Sequence, residues 1–363
     1  MILRLSAAVA VIAPLLVLPS ARGQELTGTL KKIKDSKTVT LGYRASSIPF
    51  SYLNKLHEPI GYSIDLCNEV VKEISNEFEG VEIGVSYKLV RADTRIPAVR
   101  SGEIDLECGS TTANFQRKKE VAFSPIFFIA GTKILVSRSS AISTYRDLRD
   151  KTVVVTAGTT NEEAVRAISE KQHLGIKFLV GKDHAESFAM LREGKADAFA
   201  TDDVLLYGLA ATTPSGDQYH VVGEYLSYDP YGLMYRKEDP DFAAIVDRTF
   251  SRIAQTREIV QLYNKWFQRR LPTGETLDLP MSPQLEEIFR VEGVPERDGR
   301  RSLFLLRQPF EVSGIVAAAQ VPRQRQETLA VDIAHAVGDF LDAGDLEVLP
   351  HLDRSDEFGG LQQ

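Results

Sequence analysis

Apolar positions change period in a regular way along this chain. Residues 38–43 (TVTLGY) are β-branched and read as a strand. Gly61 and Tyr62 then open a stretch in which Leu66, Val70, Ile74 and Phe78 recur every four residues, the stripe of a helix with one buried face. Residues 81–90 alternate and read as the next strand. A short helix from Arg95 follows, and Gly102 turns the chain into a strand over 104–108. Residues 127–136 read as one long strand leaving this first series. A second series begins after Leu148, with strands at 152–156, 177–180 and 196–200. Its helices start at Thr159 or Thr160, at Asp183 and at Asp202–Asp203. Thr or Asp with Glu three residues later gives the first two a capping-box signature. A short segment at 220–222 leads to an apolar strand at 231–236, and helices follow at 242–255, capped by Asp239–Pro240, and at 258–267. Residues 24–36 read as a polar helix with Leu26, Leu30 and Ile33 on one stripe. The repeated alternation predicts an α/β protein whose mainly parallel sheets are flanked by helices.

The polar positions that stand out share one address. Arg44, Ser110, Thr112, Thr160, His184 and Asp202 each lie just after a strand, mostly at a helix start. In open α/β sheets that edge is where ligands bind, and helix N-termini favour anions. The stretch ECGSTTANFQRKK, residues 107–119, concentrates the pattern: an apolar run ends in three hydroxyl residues, and Arg117 follows. Either Ser110 and Thr112 cap a helix, or they cradle a carboxylate that Arg117 neutralises. Asp202 suits an N-cap, an ammonium partner, or both. His184 suits a helix start or a ligand contact. Arg44, Arg95 and Arg117 against the one acid Asp202 match a ligand with two carboxylates and one ammonium, a dicarboxylic amino acid.

Composition narrows the class. The chain has 363 residues, 43% hydrophobic and 26% charged, which fits a globular protein of two domains. A net charge of −7 gives no overall basic surface for nucleic acid. Residues 1–23 carry Arg4, an apolar run and small residues before Gly23, the pattern of a cleaved secretory signal peptide. Two cysteines, Cys67 and Cys108, are too few for a disulfide framework or a CxxC metal site. An exported protein is free to pair them or to bury both as thiols.

The segments LGYRASSIPFSY, RIPAVRSGEIDLECGSTTANFQRKKEVAFS, TVVVTAGTTNEE, KDHAES and TDD together resemble the periplasmic glutamate/aspartate-binding proteins of solute-binding protein family 3, the ligand-capturing components of ABC importers. The resemblance spans about residues 26–290. It implies a two-lobed type II periplasmic-binding-protein clamshell. Lobe one would be residues 24–131 plus 233–270, lobe two 132–232, with a core extension at 271–290 and hinge strands near 130–136 and 229–235. Carried over by position, Arg117, Thr112, Ser110 and Thr160 would hold the α-carboxylate. Asp202, with the Ser110 carbonyl, would hold the α-ammonium, and Arg44, Arg95 and His184 the side-chain carboxylate. Two departures stand out: Ala92, where relatives often have Ser, and Leu233, where relatives often have Cys.

The resemblance implies L-glutamate or L-aspartate as ligand, inner-membrane permease subunits as partners, a periplasmic monomer, and neither cofactor nor metal. A dehydratase-like enzyme on the same clamshell would need a placed general acid or base, and a sensing module would be a third reading. GxSxG, HExxH and nucleotide-binding glycine loops are absent from the sequence. From about residue 291 the likeness stops. There the sequence mixes Pro, Arg and short apolar runs, with an amphipathic helix expected over 330–341.

Overall fold

A computed structural model describes residues 26–294. The signal-peptide segment, the helix expected at 330–341 and most of the atypical tail lie outside them. The chain begins with α1 (Gly28–Ser36), β1 (Thr38–Tyr43) and a small meander of β2 (Ser46–Ser47), β3 (Ser51–Leu53) and β4 (Pro59–Ile60). Then come α2 (Tyr62–Glu77), β5 (Gly84–Leu89), α3 (Arg95–Arg100), β6 (Leu106–Glu107), α4 (Phe115–Lys118), β7 (Val121–Phe123) and β8 (Phe128–Ala130). The second series holds β9 (Thr132–Ser137), β10 (Thr152–Thr156), α5 (Thr160–Lys171), β11 (Lys177–Gly181), α6 (His184–Arg192), β12 (Ala198–Asp202), α7 (Asp203–Ala211) and β13 (Tyr219–Val222). The chain returns through β14 (Asp229–Tyr231) and β15 (Met234–Arg236) to α8 (Pro240–Gln255), α9 (Glu258–Phe267) and α10 (Pro283–Glu292).

Two five-stranded sheets result, in the orders β5-β1-β6-β15-β7 and β11-β10-β12-β9-β13. They are mixed rather than mainly parallel. β1 runs parallel to β5 and β6, and β10 parallel to β11 and β12. β15 and β9 run antiparallel to all their neighbours. Both lie directly after a crossover between sheets, so they enter their sheet from the cleft side, against the direction set by the βα units.

The two crossovers are where the sequence reading needs correction. Residues 127–136 and 231–236 are not continuous strands. The first breaks at Gly131 between β8 and β9, the second at Gly232 and Leu233 between β14 and β15. β8 and β14 pair as a two-stranded antiparallel ribbon between the sheets, and Tyr231 of β14 also bridges to Thr112. A Cβ on Gly131 would lie 2.5 Å from the carbonyl oxygen of Ser227, so a side chain cannot sit at this break. Aromatic packing holds the ribbon on the first sheet unit: Phe128 stacks on Phe267 at 4.9 Å, and Tyr231 meets Phe50 edge-on at 5.1 Å.

Helix ends also differ from the capping pattern in places. Thr159 and Asp183 cap α5 and α6 through the backbone N–H of Glu162 and Glu186. Asp239 does not cap α8. Its carboxylate instead accepts from Thr29 N at 2.8 Å and from Arg236, so it satisfies the start of α1. β5 shows no inward face. All six of its residues are exposed, because it is an edge strand.

α10 extends the first sheet unit. Its Ser282–Pro283 start and the four-residue spacing of Leu285 and Phe289 are helix signals, and both side chains are buried. In the same unit Arg248 and Arg252 of α8 pair with Glu73 and Glu69 of α2. Cys67 of α2 and Cys108, one residue past β6, form a disulfide across 41 positions of sequence. Replacing both by Ser should lower stability to chemical denaturation by about 4 kcal/mol, the loop-closure entropy for that span. Denaturant titration of the two proteins under oxidising conditions measures it, and equal midpoints would mean the bond adds nothing.

Candidate functional site

Strand ends from both sheets converge on one small cavity, lined by Arg44, Arg95, Ser110, Thr112, Thr159, Thr160, Asn161, His184 and Asp202. β1 ends at Tyr43 and delivers Arg44, α3 begins with Arg95, and β6 delivers Ser110 and Thr112. From the opposite side, α5 and α6 present Thr160 and His184 in their first turns, and Asp202 closes β12. Ser110 and Thr112 cap nothing, since the cap of α4 is Asn114, whose side chain accepts from Arg117 N. Asp202 stands at the N-cap of α7 without a side-chain capping bond. Its Oδ1 accepts from Asn161 Nδ2 at 3.0 Å. The helix-cap reading therefore falls for Ser110 and Thr112, while Asp202 keeps the N-cap position of α7 with its side chain turned to Asn161.

Seven of the eight residues singled out in the sequence line the cavity. Arg117 does not line it: it is buried beside it, with Nη1 on Thr112 O at 3.0 Å and Nη2 on Gly158 O at 3.4 Å. The Ser110 carbonyl accepts from Arg95 Nη1 at 3.2 Å, which uses one of its two lone pairs.

Contacts across the cleft are close. Thr112 Oγ1 lies 3.2 Å from Thr160 Oγ1, and Ala185 N donates to Ser46 Oγ at 3.3 Å. Gly158 faces residues 92 and 93 so closely that a Cβ would lie 2.8 Å from Asp93 Cα, and its φ of +72° independently favours glycine. Ala92 is buried against this contact and is not part of the cavity lining.

The site is strongly charged and buried. Burial, reinforced by Arg95, lowers the Arg44 pKa to about 10, and burial with Arg95 does the same for Arg117. Both therefore stay cationic at neutral pH. The His184 imidazole is pushed well below its usual value by burial and by Arg44 and Arg95, so it is neutral. Its Nδ1 lies 3.1 Å from Thr156 Oγ1, which leaves Nε2 as the nitrogen for the cavity. Arg44 Nη1 and Ser110 Oγ are buried and bond to no protein atom. An anion is the partner such donors need. On the acidic side, burial and then the charge of Asp229 raise the Asp202 carboxyl to about 8.

Four contributors escaped the sequence reading. Thr159 and Asn161 flank Thr160 at the start of α5. Glu107 is fully buried and offsets Arg44 and Arg95 electrostatically. A glutamate inside an apolar strand was the signal for it. Asp229 accepts from both Thr112 Oγ1 at 2.9 Å and Thr160 Oγ1 at 2.7 Å. Asp202 is therefore one of three buried acids here, where the sequence count had only one.

The sequence model of bacterial extracellular solute-binding proteins, family 3, matches residues 39–269. The chain belongs to that family. An L-glutamate/L-aspartate-binding protein of Pseudomonas aeruginosa is 44% identical over 282 residues, 77% of this chain and 93% of the relative. The glutamate/aspartate import solute-binding protein of Escherichia coli is 35% identical over 263 residues, 72% of this chain and 87% of the relative. Among solved structures, a mutant ArgBP of T. maritima superposes with a TM-score of 0.59 at 27% identity, covering 66% of this chain and 99% of that one. These family likenesses and the two mixed α/β sheets give the type II binding-protein fold, and the curated relatives are transport binding proteins. α10 lies beyond the span matched by the family.

Among the described residues no helix is long and apolar enough to cross a membrane, and no cluster of His, Cys, Asp and Glu is built to hold a metal. Because the folded pKa of Asp202 is raised above its unfolded value, its contribution is fully present below about pH 4 and is lost as pH rises through about 8. Asp202→Asn, which carries no charge to bury, should therefore gain stability relative to the wild type across that window. Chemical denaturation of both proteins at pH 5 and pH 8.5 without ligand measures this, and a pH-independent difference would contradict the buried-acid assignment.

Proposed function

We propose that this protein captures L-glutamate or L-aspartate in the cavity between its two sheet units and delivers it to an inner-membrane ABC importer. The carrying observation is that buried, unpartnered cationic and hydroxyl donors, Arg44 Nη1 and Ser110 Oγ, share one cavity with the acid Asp202. That combination matches a ligand bearing carboxylate and ammonium together. The side-chain carboxylate sits between Arg44, Arg95 and His184 Nε2, and Ser110 Oγ, which position alone gives to the α-carboxylate, is assigned to this end as an unpartnered donor like Arg44 Nη1. The ammonium sits on Asp202, which ionises as the cation arrives. The α-carboxylate faces the N-terminus of α5, with Thr112, Thr160 and Arg117 beside it, where helix N–H groups add about 0.3–1 kcal/mol each way of orientation.

The names of the P. aeruginosa and E. coli relatives support the same ligand and the importer partnership. The basic-then-apolar leader supports export to the periplasm. The two units act as lobes that rotate about the β8–β14 ribbon, and the protein works as a monomer. Chemistry is not part of its role: His184 and Asp202 are accounted for by carboxylate and ammonium contacts, with no need for a general acid or base.

A thermal-shift panel of L-amino acids, followed by isothermal titration of the hits, tests the reading. Glutamate or aspartate at about 100-fold its dissociation constant should stabilise the protein by about 2.7 kcal/mol. A panel without an acidic amino acid among the hits would sink it. Arg44→Ala should weaken glutamate and aspartate by roughly 30-fold or more, the scale of a broken buried charge pair, and should affect neutral amino acids less. Arg117→Ala should weaken every amino acid, through the α-carboxylate. Selectivity unchanged in the first variant, or micromolar affinity kept in the second, would reverse these assignments.

A further inference from the structure

Two of the hydroxyls that line the ligand cavity already have an anionic partner inside the protein. Asp229, on the hinge strand β14 and 1% exposed, receives Thr112 Oγ1 at 2.9 Å from the first sheet unit. The same oxygen, Oδ1, receives Thr160 Oγ1 at 2.7 Å from the second. Its other oxygen accepts from Ser227, whose hydroxyl meets Thr132 Oγ1 at 2.7 Å. Thr132 Oγ1 also accepts from Asn161 Nδ2, and Asn161 holds Asp202. One carboxylate on the hinge thus gathers a hydroxyl from each side of the cleft and is wired to the opposite wall of the cavity.

A threonine hydroxyl carries one proton. While Thr112 and Thr160 donate to Asp229, neither donates to a ligand carboxylate. Arg117 shows the same inward pairing, with its guanidinium on Thr112 O and Gly158 O across the cleft. Arg44 Nη1 and Ser110 Oγ, at the other end of the cavity, have no such internal partner. The cavity is therefore asymmetric. One end is satisfied by the protein itself, and the other offers bare donors.

We infer that Asp229 is a positioning residue that competes with the ligand's carboxylate: by holding Thr112 and Thr160 together it favours the closed lobes, and the incoming carboxylate must replace it as the acceptor of those two hydrogen bonds. This rests on the proposed capture of an acidic amino acid, and it adds a residue that no contact with ligand would reveal. The competition sets two quantities in the same direction. It lowers the open fraction that a ligand can enter, and it lowers the gain when the ligand replaces Asp229 at the hydroxyls.

The test uses the full mature protein and two variants. Asp229→Asn keeps the shape and weakens the acceptor. Thr160→Val removes the second-unit half of the clasp and leaves the carboxylate in place. Small-angle scattering of the ligand-free proteins should give a larger radius of gyration for both variants than for the wild type. Stopped-flow measurement with glutamate should give an association rate several-fold higher for Asp229→Asn, with a lower dissociation constant. A merely structural loss moves both constants the opposite way. An unchanged ligand-free radius in both variants, or an association rate equal to or below the wild type's in Asp229→Asn, overturns the proposal. If glutamate and aspartate compact none of the three proteins, the ligand assignment fails, and the ligand-free radii still decide whether Asp229 clasps the lobes.

Discussion

Burying two guanidiniums side by side is the constraint on which this structure turns. Arg44 and Arg95 are each 2% exposed; burial and then Arg95 lower the Arg44 pKa, and after burial both guanidiniums lower that of His184. An isolated buried charge costs several kcal/mol, so the protein must supply counter-charge from below. Glu107 does so from inside β6, and the fold positions it by making that strand central, between β1 and β15. The offset is incomplete: one Arg44 nitrogen has no protein partner. That residual positive potential is what an anionic ligand answers. The same potential drives His184 neutral, which spares the cavity a third competing cation.

The opposite wall solves the mirror problem. Asp202 and Asp229 are two buried acids joined through Asn161, Thr132 and Ser227. Burial, and after it the charge of Asp229, raises the Asp202 carboxyl to about 8, so Asp202 holds its proton until a cation arrives. Positive and negative walls face each other across the gap between two sheets that share only a two-stranded ribbon. Attraction across the gap and separation along the hinge are thereby assigned to different residues.

Much of this was legible in the sequence, and the reasons differ by level. Strand and helix periods located nearly every element, because one-sided burial leaves its period in the chain. Strand ends located Arg44, Ser110, Thr112, Thr160, His184 and Asp202, because ligand chemistry gathers at that edge in α/β sheets. Strand direction was not legible. β9 and β15 carry the same apolar content whichever way they run, and only the crossovers decide. The breaks at Gly131 and Gly232 were hidden because apolar residues continue on both sides of them. Asp229 and Glu107 were missed for a related reason: they act beneath the cavity, and a buried counter-ion looks in sequence like any acid near a strand. Arg117 was found as a site residue, but its present partners are carbonyls of the protein, which no spacing rule anticipates.

The cystine beneath the cavity links this architecture to where the chain matures. Cys108 is the residue before the Gly109–Ser110 turn, and its bond to α2 anchors the very segment that presents the hydroxyls. In the reducing interior of a cell that anchor is open, and the chain lacks part of its native stability. Compartment redox chemistry, rather than a change of sequence, thus decides whether this turn is anchored.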